Sequence, residues 1–493
     1  MPFEWMAPLM FVALVVVLLL GYPVAFSLGA VGLGFALIGM QYGHINLGLL
    51  QNIPLRIFDT MQNQLLLAVP FFTFMGLVLE RSGMAEDLLD TLGQLFGSVR
   101  GGLAYAVILV GALLAATTGI VAASVIAMGL ISLPIMLRYG YSTRLATGVI
   151  AASGTLAQII PPSLVLIVMA DQLGVSVGDM YRAAFVPGFM LTGLYVFYVL
   201  LLTLLRPQVA PALPPEARPY SGYERGALLG LLSYVVLALV PWGLTLWGWS
   251  NTAFLDLVLL LVGVGLSFYL YVRNPLFARV LRVMIPPLVL IFLVLGTVFL
   301  GVATPTEGGA MGAVGALLLA LLRGRLTKDV LVQAMRETAK LTSFVVFILV
   351  GSRIFSLVFY GVDGDLWVEH LLAGLPGGQL GFLILINVFV FFLAFFLDYF
   401  EIAFIILPLL APAITALDIN PVYFGVLLGV NLQTSFMHPP FGFALFYLRS
   451  VAPPSVKTVD IYWGAVPFIL IQLLMVGLLL IFPGIVLRSL GPA

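Results

Sequence analysis

Long apolar stretches separated by short polar connectors run the length of the chain. Stretches of about 18 residues or more can cross a bilayer as helices. They fall at about 21–40, 61–80, 141–172, 180–205, 226–249, 252–272, 283–303, 305–322, 341–361, 421–452 and 459–487. Two further runs, 102–137 and 379–416, are about 36 residues each, with small or polar residues near the middle. They are too long for one pass and lack a connector for two, so each predicts a re-entrant hairpin. Segments 45–60, 84–97, 328–338 and 364–376 are amphipathic and mixed in charge, which predicts arms lying at the interface. Residues 7–20 are apolar too, and the pattern leaves open whether they form a separate short helix.

The prolines expose a duplication. Pro23, Pro134, Pro161-Pro162 and Pro187 recur as Pro305, Pro412, Pro439-Pro440 and Pro467, at offsets of 282, 278, 278 and 280 residues. Pro134 to Pro161 and Pro412 to Pro439 are both intervals of 27, and Ala30-Val31-Gly32 matches Ala313-Val314-Gly315. Four pairs in order predict an internal repeat.

Composition agrees with the pattern. Of 493 residues 62% are apolar and 9% charged, against roughly 25% charged in soluble proteins, so lipid must solvate much of the surface. Lys plus Arg and Asp plus Glu both number 21, which argues against a nucleic-acid partner. Cysteine is absent, excluding disulfides and thiolate chemistry. Met1-Pro-Phe-Glu-Trp5 has no basic n-region, so the first apolar segment is expected to remain in the mature protein. No G-x-x-x-x-G-K-[ST] loop occurs, so uphill transport would draw on an ion gradient or another subunit.

Position gives the charges more meaning. Assigning 81–100, 138–144, 206–225, 273–282, 323–340 and 449–457 to the cytoplasm places 17 of the 21 cations there, leaving Arg56, Arg182, Arg353 and Arg488 elsewhere. The matched loops after the two hairpins carry opposite signs, Arg138 and Arg144 in the first and Asp418 in the second. The repeats are therefore expected to be inverted, with an odd number of linker helices, near 226, 252 and 283, turning the second copy over. Inverted repeats with paired re-entrant elements predict a transporter whose site lies at the midplane.

Each repeat also holds a break beside its hairpin, Ser153 to Ser163 in the first and Asn431 to Pro440 in the second. Tandem proline removes amide donors and frees carbonyls, and such backbone is tolerated at membrane depth only inside protein or along a wet cavity. Carbonyl, hydroxyl and amide oxygens suit Na⁺, while half-helix N-termini suit an anionic group. The hairpin middles hold Thr117-Thr118-Gly119 and Asp398-Tyr399-Phe400-Glu401. Thr117 has both a structural reading, bonded to the carbonyl one turn back, and a pathway reading. Asp398 and Glu401 are intramembrane carboxylates spaced i, i+3, which point to cation binding and to pairing or proton transfer. Glu307 opens a helix, where capping explains it. His438 reads as an internal neutral histidine or as a proton relay.

These residues carry a resemblance. Gly21-Tyr22-Pro23, Arg100-Gly101-Gly102-Leu103-Ala104, Gly140-Tyr141, Ile160-Pro161-Pro162-Ser163, Thr304-Pro305-Thr306-Glu307, Asp398 with Pro408 and Pro412, and Asn431 through Pro439-Pro440 make the chain similar to the large membrane subunit, DctM-type, of tripartite ATP-independent periplasmic (TRAP) transporters. The resemblance implies an all-α polytopic membrane protein, an elevator-type secondary transporter of bacterial inner membranes, and not an enzyme. It implies a small transmembrane subunit (DctQ-type) and a periplasmic substrate-binding protein as partners, with a small organic anion as cargo and membrane lipid as solvent. Na⁺ is the implied coupling ion, with no other cofactor. By matching motif, one Na⁺ region takes in Thr118, Gly119, Ser153 and Gly154, and the other Asp398, Asn431 and Thr434. The substrate pathway is expected along Thr117, Thr155, Pro161, Pro162, Ser163, Glu401, Gln433, Ser435, His438, Pro439 and Pro440. Where the family's hairpin tip has consecutive serines after glycine, this chain has Ile120 and Val121.

The expected division is scaffold and arm of the first repeat at 1–101, a first transport half at 102–205, linker helices at 206–303, scaffold and arm of the second repeat at 304–378, and a second transport half at 379–493. The functional expectation is a Na⁺-coupled, binding-protein-dependent importer of small organic acids. Competing readings are proton coupling through Glu401 and His438 without a binding protein, an ion channel, or an intramembrane enzyme. No continuous polar pore face is legible, and histidines at 44, 370 and 438 lack metal-site spacing.

Overall fold

The computed structural model describes residues 5–246, 253–373, 376–395 and 397–490. Within them the chain is helical, and nine helices are long and apolar enough to cross a membrane. A first helix, α1 (Met6–Leu19), answers the question left by the pattern. The first repeat then runs through α2 (Val24–Gln41), the short arm helices α3 (Leu47–Leu50) and α4 (Ile53–Met61), α5 (Ala68–Arg81) and the arm α6 (Met84–Leu95). Its hairpin is α7 (Gly102–Thr118) and α8 (Val121–Arg138), its broken helix α9 (Thr143–Thr155) and α10 (Leu164–Leu173), and its last helix α11 (Val177–Leu205). Three linker helices follow: α12 (Glu224–Leu246), α13 (Ala253–Arg273) and α14 (Pro275–Phe299).

The second repeat retraces the first. It comprises α15 (Pro305–Leu322), α16 (Lys328–Gly361), the arm α17 (Gly364–Ala373), the hairpin α18 (Gly378–Leu393) and α19 (Tyr399–Ala416), the broken helix α20 (Pro421–Met437) and α21 (Phe443–Val451), and α22 (Thr458–Ile481). The paired prolines occupy equivalent places. Pro23 and Pro305 sit at the starts of α2 and α15, Pro134 and Pro412 inside α8 and α19, Pro187 and Pro467 inside α11 and α22. Both tandem prolines contain a cis peptide bond.

One expectation differs. Residues 328–338 are not a separate arm: α16 runs unbroken for 34 residues. At 1.5 Å per residue that is about 51 Å, against a hydrocarbon core of about 30 Å, so its polar first turns project beyond the span. Nothing between Lys328 and Gly361 breaks a helix, since no proline occurs there. The start of α15 behaves as read: Thr304 Oγ1 accepts the Glu307 N–H (3.2 Å) and Glu307 Oε2 accepts the Thr304 N–H (2.7 Å), a capping box with Pro305 in the first turn.

Packing crosses between the repeats in matched pairs. Helix α2 packs on α16 and α5 on α15; α10 packs on α19 and α21 on α8; α9 packs on α22 and α20 on α11. Lipid gives helices no hydrophobic reason to associate, so small residues that admit close approach carry much of this packing. A methyl placed on Gly351 would lie 2.4 Å from the Ala25 carbonyl oxygen, and one on Gly148 would lie 2.1 Å from that of Gly464.

The segments read as cytoplasmic meet on one face. Asp90 pairs with Arg279 (2.5 Å), and Asp87 with Arg323 (3.4 Å) and Arg325 (2.9 Å). The Leu213 N–H donates to the Gly97 carbonyl (2.9 Å) and the Ser142 N–H to that of Val209 (2.9 Å). Arg144 reaches Asp460 at 3.1 Å. Segments far apart in the chain, grouped only by their cations, are thus neighbours.

Candidate functional site

Break one joins α9 to α10 through a short turn at Leu156–Gln158 and the Pro161-Pro162 pair. Two successive prolines offer no amide donors, so the α-ladder cannot continue. Helix α10 restarts after Ser163, whose Oγ donates to the Gln158 carbonyl (2.8 Å). Every residue from Leu145 to Ala170 is buried. Thr155 Oγ1 donates to the Ala152 carbonyl (2.8 Å), but Ser153 Oγ and both amide atoms of Gln158 have no hydrogen-bond partner among the described residues.

Hairpin one sits directly on this break. A methyl on Gly111 would come 2.4 Å from Ser153 Cβ, and one on Gly154 would come 2.2 Å from Val125 Cγ2. At the tip, Gly119 has φ +59°, which glycine adopts without penalty and which reverses the chain between α7 and α8. A methyl there would lie 3.3 Å from the Leu164 amide nitrogen and 3.6 Å from the Pro162 carbonyl oxygen. The tip therefore touches both the freed carbonyl side of the break and the positive end of α10. Thr117 Oγ1 donates to the Leu114 carbonyl (3.0 Å), its structural reading. Thr118 closes α7, and its side chain lies outside the described residues.

Break two follows the same plan with different contacts. Helix α20 ends at Met437, and the chain passes His438-Pro439-Pro440 before α21. Asn431 Nδ2 donates to the Asn387 carbonyl in α18 (2.7 Å), and Ser435 Oγ to that of Phe391 (3.4 Å). Thr434 Oγ1 donates to the Asn431 carbonyl (2.6 Å) and lies 3.3 Å from Asn431 Oδ1. Gln433 is fully buried with both amide atoms unpartnered. The His438 ring stacks on Phe395 (4.2 Å between centroids) and meets the edge of Phe391 (5.2 Å), and its Nδ1 has no hydrogen-bond partner among the described residues. Unlike break one, this break reaches the surface at Pro440 and Phe441.

The two carboxylates of hairpin two serve its turn. Asp398 Oδ1 accepts the Tyr399 N–H (2.6 Å) and Glu401 Oε2 accepts the Asp398 N–H (2.8 Å), a reciprocal capping box at the start of α19. Among the described residues no hydrogen bond joins Asp398 to Asn431 or Thr434. The structure places Gly119 against Leu164 and Pro162, Ser153 against Gly111 and Gly154 against Val125; it joins Asn431 with Thr434 and pairs Asp398 with Glu401.

Two polar residues, Asn387 and Gln472, escape the sequence reading, and a third, Gln158, is read as part of the break without being singled out. Gln158 offers an unspent amide at break one, Asn387 receives Asn431, and Gln472 is fully buried beside Thr155. Their signal was the one used for Asp398, a polar side chain inside an apolar run.

Comparison with known proteins adds the family. The model for the tripartite ATP-independent periplasmic transporter, DctM component, matches residues 11–485. The C4-dicarboxylate TRAP transporter large permease protein DctM of Pseudomonas aeruginosa is 27% identical, over 88% of this chain and 88% of its own length. The isethionate TRAP transporter permease protein DctMQ of Oleidesulfovibrio alaskensis is 24% identical, over 91% of this chain and 61% of its own length. Among solved structures, the Alcanivorax borkumensis YdaH transporter superposes with a TM-score of 0.55 at 17% identity, covering 92% of this chain and 90% of the other, a likeness of fold.

Proposed function

The chain belongs to the DctM component family of tripartite ATP-independent periplasmic transporters, and from that premise we propose a Na⁺-coupled, binding-protein-dependent importer of small organic acids. Family membership makes it the large permease of a tripartite system and a multi-pass protein of the bacterial inner membrane. Named relatives handle C4-dicarboxylates and isethionate, which supports an organic acid as cargo. A relative whose name joins DctM and DctQ supports a small membrane subunit beside this one.

The observation that carries the reading is the pair of buried glutamines. Gln158 in break one and Gln433 in break two are each wholly inaccessible, with neither amide end bonded to any of the described residues. An unsatisfied buried polar group costs about 1–3 kcal/mol, and each break carries that cost, though at different positions: the 278-residue offset pairs Gln158 with Phe436 and Gln433 with Thr155. An amide offers an oxygen to a cation and an N–H to a carboxylate, so one side chain can serve ion and cargo together. In this reading the Na⁺ regions are Thr118, Gly119, Ser153 and Gly154 in one repeat, and Asn431, Thr434 and Asp398 in the other. Residues 102–205 and 379–493 move as a body against the scaffold, the hairpins closing over the breaks in turn.

The test uses proteoliposomes holding this chain with its small subunit, binding protein outside, and labelled succinate as probe. Uptake is expected to require an inward Na⁺ gradient. Uptake sustained by a pH gradient with K⁺ replacing Na⁺ would overturn the coupling ion and favour proton transfer through Glu401 and His438.

A further inference from the structure

One amide joins four elements that the sequence keeps far apart. Gln472 lies in α22 and is fully buried. Its Nε2 is 2.7 Å from the Tyr195 hydroxyl of α11, 3.2 Å from Thr155 Oγ1 at the end of α9, and 3.4 Å from Met437 Sδ at the end of α20. Thr155 spends its own proton on the Ala152 carbonyl, so toward Gln472 it can only accept. A single donor group therefore bridges break one, break two and the last helix of each repeat. Its carbonyl, Oε1, has no hydrogen-bond partner among the described residues.

The surroundings hold this amide in place. Helix α22 lies against α9 so closely that a methyl on Gly464 would come 2.2 Å from the Arg144 carbonyl oxygen. Arg144 and Asp460 pair at the end of the same contact (3.1 Å). Phe468, one turn before Gln472, meets the edge of the Tyr195 ring at 5.3 Å and of Tyr198 at 5.1 Å. Packing alone would be served by leucine or methionine at position 472. A polar side chain in a dry interior is costly unless its hydrogen bonds do something apolar contact cannot, such as fixing register.

We propose that Gln472 is a positioning residue that locks the two broken helices at one relative geometry, so that the ion region of break one and the break of repeat two respond as a unit. It touches neither region's ion ligands as assigned above and acts through Thr155 and Met437. The part concerning Na⁺ rests on the coupling ion proposed above; the part concerning geometry does not.

The experiment separates the two. The chain has no natural cysteine, so Gln172→Cys near the end of α10 and Ser450→Cys near the end of α21 accept spin labels uniquely in the purified full chain. Distance distributions are compared in KCl and NaCl for the labelled parent, Gln472→Met, which keeps the volume and removes the amide, and Met475→Ala, a buried packing control on the same helix. Na⁺ titration of the unfolding temperature is read on the same proteins. Gln472→Met is expected to broaden the distribution in both salts and to raise the Na⁺ midpoint about tenfold, the scale of one or two lost hydrogen bonds. Met475→Ala is expected to lower the unfolding temperature and leave both readouts unchanged. A distribution as narrow in Gln472→Met as in the parent, or equal broadening by Met475→Ala, would overturn the proposal. Broadening by Gln472→Met in a protein indifferent to Na⁺ would uphold the positioning role and remove the sodium reading instead.

Discussion

The two hairpins sit on their breaks by different chemistry. In the first repeat the contact is glycine: Gly111 against Ser153, Gly154 against Val125, Gly119 against the start of α10. In the second, hydrogen bonds and rings do the same work, Asn431 to Asn387, Ser435 to Phe391, and His438 stacked on Phe395. The first break is sealed, whereas the second reaches the surface at Pro440 and Phe441. The inverted repeat therefore keeps its topology while changing the contacts that build it. Where backbones touch, the polar atoms at the contact are backbone carbonyl oxygens, which accept; where side chains fill the gap, they are amides and hydroxyls, which can also donate.

That contrast can be broken at matched positions. Leu432, the counterpart of Gly154 at the 278-residue offset, is fully buried, so Leu432→Ala is expected to leave a cavity costing about 2–5 kcal/mol. Gly154→Ala does the opposite, forcing a methyl to 2.2 Å from Val125, with an overpacking cost of about 1–3 kcal/mol. Chemical denaturation in detergent checks both, and equal tolerance at the two sites would erase the glycine contrast. Asn431→Ala should cost about 0.5–1.5 kcal/mol because the bond from Asn431 Nδ2 to the Asn387 carbonyl is lost; an unchanged unfolding midpoint would mean that bond contributes nothing.

Asp398 permits a cleaner separation of fold from function. Asparagine caps a helix about as well as aspartate, so Asp398→Asn is expected to keep the thermal stability of the parent while lowering Na⁺-driven uptake. Equal uptake would confine Asp398 to its capping box. The smallest effect belongs to the exposed Arg144–Asp460 pair, where Arg144→Ala should change stability by about 0–1 kcal/mol, less in high salt.

Much of this architecture was legible because membranes constrain sequence so strongly. Hairpins announced themselves as apolar runs too long for one pass, breaks as tandem prolines, and the repeat as matched proline intervals. Cation placement grouped segments that Asp87, Asp90 and Gly97 then join physically. What stayed hidden was partnership. Asp398 and Glu401 stood out as costly charges, yet their spacing is equally that of a capping box, and only coordinates show the bonds made. Gln158 and Gln472 have no charge to draw attention, and what matters about them is which of their amide atoms remain unspent. Residues 328–338 read as an arm because polar residues dominate there, but no breaker separates them from the span that follows.

The central claim is that the two breaks act as paired halves of one ion-coupled site. The Na⁺ concentration dependence of succinate uptake, measured in the complete tripartite system for the parent, Ser153→Ala and Asn431→Ala, tests it most directly. The parent is expected to give a sigmoidal curve, and alteration of either break a curve flattened toward a simple hyperbola with a higher Na⁺ midpoint. Three curves of identical shape and midpoint, or uptake that ignores the exchange of Na⁺ for K⁺, would contradict it.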